Sequence, residues 1–173
     1  FSANSAYADL ARAWGLAPAA VAPLTMAVQA GFITGTLLIA LTGLADRFAA
    51  SRIIVASCIL GAAANAGFAL IANGLSSGLV WRFATGLSLA GIYPLGMKLI
   101  LTWAPDKSGH ALGWLVGMLT LGTALPHLLR ALGANWPWQM IIMSSSILAL
   151  IAAAMIGRLG DGPHLRRGAP KPI

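Results

Sequence analysis

The chain has 173 residues, of which 58% are apolar and only 9% charged, with a formal net charge of +7. A soluble domain carries roughly 25% charged residues, so too few are present to cover a water-facing surface, and the chain reads as a membrane protein. The basic residues are scattered one or two to a loop, without an arginine-rich helix or a basic–aromatic alternation, which sets aside nucleic acid as a partner and makes the charge a topology signal. The single cysteine, Cys58, excludes an internal disulfide, and with no cysteine–histidine cluster neither a metal nor a cofactor is expected.

A spanning helix needs about 20 mostly apolar residues. An inward-to-outward span is expected before the first complete one, with Phe1–Tyr7 as its outer end, and no basic region followed by a short apolar stretch marks a signal peptide. The first complete span is placed near 20–43, within the charge-free stretch between Arg12 and Asp46. The second, near 53–73, lies in the charge-free stretch between Arg52 and Arg82. The third, 78–103, is apolar but carries Arg82 and Lys98, and the fourth, 110–132, carries His127 and Arg130. The fifth, 137–157, is again charge-free.

The connections Asp46–Ser51, Asn73–Ser77, Pro105–Gly109 and Gly133–Pro137 are short, which makes successive helices antiparallel neighbours. Residues 1–159 are therefore expected as one transmembrane helical domain. Residues 160–173, rich in glycine, proline and basic residues, cannot bury a core and are expected as a mobile linker. Trp14, Trp81, Trp103, Trp114, Trp136 and Trp138 all fall at or near span ends, where amphipathic rings sit among lipid headgroups.

Arg47, Arg52, Lys107, Arg158, Arg166, Arg167 and Lys171 share one side, with Lys98 near it, whereas Arg12 and Arg130 share the other, with Arg82 near it. The richer side is expected to be cytoplasmic, in a cell (plasma or inner) membrane. That places the loops at 46–51 and 105–109 and the C-terminal tail in the cytoplasm.

Gly43-Leu44-Ala45-Asp46-Arg47-Phe48 lies in the first of these loops. It resembles the loop between helices 2 and 3 of the major facilitator superfamily, whose pattern is roughly G-x-L-x-D-R-x-G-R-R. Leu44, Asp46 and Arg47 match; Thr42 stands at the first glycine, Ala49 and Ala50 replace the second glycine and the first basic residue after it, and Arg52 comes late. Arg82-Phe83-Ala84-Thr85-Gly86 is similar to the helix-4 pattern R-x-x-x-G, and Gly91-Ile92-Tyr93-Pro94-Leu95-Gly96 has the small-residue and kink character that follows it. The drug–proton antiporter signature G-P-x-x-G-G and the glycine-rich, asparagine-containing nitrate-porter signature are absent, and helix 2 has no arginine. The resemblance covers essentially the whole chain. It implies an all-α polytopic bundle running from the end of helix 1 through helix 6, most of the N-terminal half of a twelve-helix transporter, with its partners a C-terminal half of the same chain, the lipid bilayer and a small-molecule solute. It further implies solute movement by alternating access, without covalent chemistry, and a gating role for Asp46 and Arg47.

The polar residues inside the spans are the candidate substrate contacts: Arg82, Tyr93, Gln29 and His127. A charge in the bilayer is costly unless paired or hydrated. At 100° per residue Arg82, Gly86 and Tyr93 share one face of a continuous helix, and helix 4 lines the central cavity in the resembled family. Arg82 therefore either meets an anionic substrate or a carboxylate on another helix, or it snorkels to the headgroups or braces the fold. Gln29 either lines the cavity or bridges to a neighbouring helix. His127 either exchanges protons in a coupled transporter or is an interfacial residue. Asn65 is expected in a helix–helix hydrogen bond, and Lys98 is expected to snorkel. Pro94 is expected to bend the span. Gly113 and Gly117, with Ala63 and Gly67, are expected to permit close helix approach. The acids are Asp9, Asp46, Asp106 and Asp161, none within a complete span. A carboxylate proton relay is therefore not expected here, and the substrate leans toward an organic or inorganic anion.

Two other classes stay open. A multi-span membrane enzyme needs clustered ionisable groups such as H-E-x-x-H; the sequence has none, and the three histidines are not at ligand spacing. A non-transporting sensor or scaffold built on a transporter fold has the same sequence features as a transporter.

Overall fold

The computed structural model describes residues 7–132 and 137–164. Every regular element among the described residues is a helix. Helix α1 spans Tyr7–Ala13, and a 3-10 turn at Pro18–Val21 leads into α2 (Ala22–Thr42). Pro23 sits in the first turn of α2, where a missing N–H costs nothing. Gly43, with φ of 62°, ends the helix in the left-handed region that glycine enters without penalty. A single turn α3 (Leu44–Arg47) precedes α4 (Ala50–Ile71), α5 (Leu75–Leu89) and α6 (Tyr93–Trp103). A second 3-10 turn, Pro105–Lys107, precedes α7 (Ser108–Leu132), and α8 (Trp138–Leu159) ends the helical body. The expected stub Phe1–Tyr7 falls outside the described residues save for Tyr7, and Gly133–Trp136 of the last connection does too.

Among the described residues four stretches are long and apolar enough to cross a membrane: Ala19–Thr42, Ala50–Ile71, Leu75–Trp103 and Trp138–Leu159. Five spans are expected from the sequence, and the difference rests on α7, a 25-residue helix at the place of the expected span 110–132. Many large apolar side chains, among them Met26, Leu41, Leu70, Val80 and Met155, are exposed. Lipid can solvate such a surface and water cannot, so the chain is a multi-pass membrane protein.

The third span departs from the continuous helix expected over 78–103. A turn at Ala90–Ile92 separates α5 from α6. Pro94 has no N–H to offer the Ala90 carbonyl, and its ring crowds that carbonyl, so the hydrogen-bond ladder opens there. Gly91 fills the break: a methyl at this position would run into the Ser57 hydroxyl of α4.

Helix α2 packs along α5, and α4 packs between α5 and α8. The α2–α5 crossing is close because it is built from glycine. A methyl on Gly31 would run into the Phe83 carbonyl, one on Gly35 would meet Ala90, and one on Gly86 would run into the Val28 carbonyl. Gly113 and Gly117 have open space where a side chain would go, so the expected close approach is not made there; Gly67 makes one, against the Trp81 ring.

The core has two parts. Leu10, Val21, Leu24, Phe68, Trp138 and Ile142 pack at one end of the bundle, and Ala50, Ile54, Cys58, Leu95, Leu99 and Ala153 at the other. The tryptophans divide accordingly. Trp103 and Trp114 are exposed, but Trp138 is buried and Trp14 half-buried. Phe68 draws them inward, with both indoles edge-on to its ring at centroid distances of 6.0 Å. Position at a span end therefore does not place these two rings at the headgroups.

Candidate functional site

Two polar clusters stand toward opposite ends of the bundle. The first centres on Arg82, seven residues into α5 and only 3% exposed. Its Nη1 donates to Asn65 Oδ1 at 3.4 Å. Its guanidinium carbon lies 5.5 Å from the centroid of the Phe68 ring, a cation–π contact worth about 0.5–2 kcal/mol. Asn65 and Phe68 are three residues apart on α4, so both present to the same side. Trp14 and Trp138 in turn hold the Phe68 ring. The arginine is thus turned into the helical body. Asn65 makes the helix–helix hydrogen bond expected of it, with Arg82 as donor.

Gly86, one turn further along α5, is the point where α2 crosses. The R-x-x-x-G spacing therefore joins a buried cation to a backbone contact. Tyr93 does not share that face. It lies beyond the break, is exposed, and lines an apolar cavity of about 540 Å³ with Ile54, Leu99, Met118 and Ile156. Gln29 is exposed on α2, and His127 is exposed on α7. The structure thus joins Arg82 to Asn65 and leaves Gln29, Tyr93 and His127 on three separate helices.

The second cluster lies where α2 ends and α4 begins. Lys98 of α6 donates to the Ala45 carbonyl at 2.7 Å and to Asp46 Oδ1 at 3.1 Å. Its ammonium therefore grips the loop at the end of the span. Both side chains are partly solvated, at 34% and 63% exposure, so the ion pair contributes about 0–1 kcal/mol and acts as a positional contact. Arg47 is exposed beside it. Fifty-two residues separate Lys98 from Asp46, and no local pattern in the sequence pairs them. Among the described residues no three histidine, cysteine or acidic side chains gather to hold a metal.

This architecture can be compared with known proteins. A profile of the Major Facilitator Superfamily matches residues 1–172. The chain belongs to that superfamily. It is 31% identical over 168 residues to the niacin transporter NiaP of Acinetobacter baylyi, covering 90% of this chain and 36% of that protein. It is 28% identical over 153 residues to the uncharacterized transporter YgaY of Escherichia coli O157:H7, covering 84% and 37%. It is 30% identical over 115 residues to solute carrier family 22 member 6 of Pseudopleuronectes americanus, covering 66% and 20%. The chain thus spans a little over a third of the first two relatives' length and a fifth of the third's. No solved structure matches it. The two sequence patterns have structural counterparts: the Asp46 loop gripped by Lys98, and Arg82 with Gly86 in the broken third span.

Proposed function

We propose that this chain is the N-terminal helical part of a secondary transporter that moves a small polar solute by alternating access. The solute class we assign is an anion, organic or inorganic. The observation that carries the reading is a buried guanidinium in the third span of a superfamily member. An arginine stays charged in any surroundings. Arg82 lies within the third span and no acid lies within a complete span, which favours an anion as the solute it meets. A relative is named a niacin transporter, and niacin is a small carboxylic acid, which makes it the first probe to use.

In this reading the solute sits near the midplane against a second helical half, and rocking of the two exposes it in turn. Arg82 supplies the charge, and Gln29, Tyr93 and His127, exposed on three other helices, are further contacts. Asp46 and Arg47 gate the end of the bundle that lies in the cytoplasm, the side on which the loop at 105–109 and the tail also lie.

Equilibrium binding to the purified full gene product tests the anion assignment. Niacin should bind, and its uncharged amide should bind at least tenfold more weakly, the loss of one charge-assisted contact of about 1.5–3 kcal/mol. Equal affinity for the two would overturn the assignment.

A further inference from the structure

The segment after α8 carries an inference that the transport reading does not use. The sequence marks 160–173 as a mobile linker. Four of its first five residues, Gly160, Asp161, Gly162 and His164, are instead bonded to the ends of two other helices, and residues beyond His164 fall outside the described part. Helix α4 starts at Ala49-Ala50-Ser51, and Ala49 at its N-cap has no side-chain oxygen to bond the free N–H groups of the first turn. Asp161, 110 residues away in sequence, supplies it: the Ser51 N–H donates to Asp161 Oδ1 at 2.9 Å. A carboxylate at that position also complements the positive end of the helix dipole.

The same segment serves the opposite need at the end of α6. The Gly162 N–H donates to the Thr102 hydroxyl at 2.9 Å, and the His164 N–H donates to the Thr102 carbonyl at 3.3 Å. That carbonyl is in the last turn of α6 and has no intrahelical donor. The Trp103 indole N–H donates to the Gly160 carbonyl at 3.4 Å. The two glycines make the path possible. Gly160 turns the chain off α8 at φ of 67°, and a methyl on Gly162 would run into the Thr102 carbonyl.

We propose that Gly160–Asp161–Gly162 is a clasp that locks the start of α4 and the end of α6 to the exit of α8, so that these three helix ends move as one unit. The chain leaving α8 is then anchored beside the loop that Lys98 grips, because Ala45–Asp46 and Ser51 flank the same short connection. Motion of the linker is passed to that loop and not absorbed by slack. Asp161 is on this view a positioning residue for the movement of the half, a role that rests on the transport reading; the clasp itself does not.

Hydrogen–deuterium exchange of the full gene product in lipid nanodiscs tests the clasp without any transport assay. Asp161→Ala should speed exchange of the Ser51 amide roughly fivefold, the effect of losing one N-cap. Asp161→Asn keeps an acceptor oxygen and should exchange like the parent. Gly162→Ala, which alters no charge, should also speed exchange at Ser51. Unchanged exchange in both Asp161→Ala and Gly162→Ala overturns the clasp. In proteoliposomes Asp161→Ala should lower the maximal uptake rate severalfold with KM unchanged, and Asp161→Asn should restore it; an unchanged rate removes the positioning role. If the parent protein moves no solute while the exchange changes appear, the clasp stands and the transport reading falls.

Discussion

Arg82 donates a hydrogen bond to Asn65 and lies against the face of Phe68, whose ring Trp14 and Trp138 flank. Both contacts depend on a side chain from another helix, so the arginine both braces the bundle and charges its interior. These roles can be separated. Asn65→Ala removes one hydrogen bond to a charged group, about 1.5–3 kcal/mol, and should lower the thermal stability of the purified protein while leaving the charge in place. Arg82→Ala removes the charge itself, and anion binding should fall at least tenfold with the protein still inserted in the membrane. Should Asn65→Ala and Arg82→Ala weaken binding equally, Arg82 would be a brace alone. The ion pair at the other end behaves differently. Lys98→Ala should change stability by less than about 1 kcal/mol, because both partners are partly solvated, yet it should open the Ala45–Asp46 loop to limited proteolysis. Arg82 was legible as a candidate because an arginine in an apolar run stands out. Lys98 with Asp46 and Ser51 with Asp161 were not, since pairs 52 and 110 residues apart leave no periodic trace.

At the scale of elements, run length and bilayer thickness together predict where helices lie. The helices α2, α4 and α8 fall within a few residues of the stretches read from the sequence. What run length does not convey is continuity. Residues 78–103 carry only Arg82 and Lys98 as charges and read as one span, but Pro94 after Gly91 opens the helix at Ala90–Ile92 and so moves Tyr93 off the face of Arg82. Small-residue spacing is equally ambiguous by itself. Gly113 and Gly117 have the spacing of a close crossing and face open space, while Gly31, Gly35 and Gly86 make the crossing that packs α2 on α5. Which glycine is used depends on the neighbouring helix, and that is set by topology. Gly86→Leu should therefore destabilise the protein by about 1–3 kcal/mol or more through overpacking, whereas Gly117→Leu should be nearly neutral. Comparing the two by thermal unfolding in detergent checks the assignment, and the reverse order would contradict it.

For the whole molecule, the helical bundle has one end tied by Lys98 and the Gly160–His164 segment and another filled with aromatic rings around Arg82. The expected orientation puts the tied end in the cytoplasm and the connection between α4 and α5 outside. A cysteine at Ser77, introduced with the buried Cys58 left in place, should react with an impermeant maleimide added to intact cells. Labelling only after the cytoplasmic side is opened would invert the topology.

The central claim is that this chain is part of a transporter for a small anion. Uptake of radiolabelled niacin into proteoliposomes of the full gene product tests it most directly. The account predicts saturable uptake that Arg82→Ala abolishes. No uptake of niacin or of any other anion, sugar or amino acid, or uptake that Arg82→Ala leaves unchanged, would contradict it.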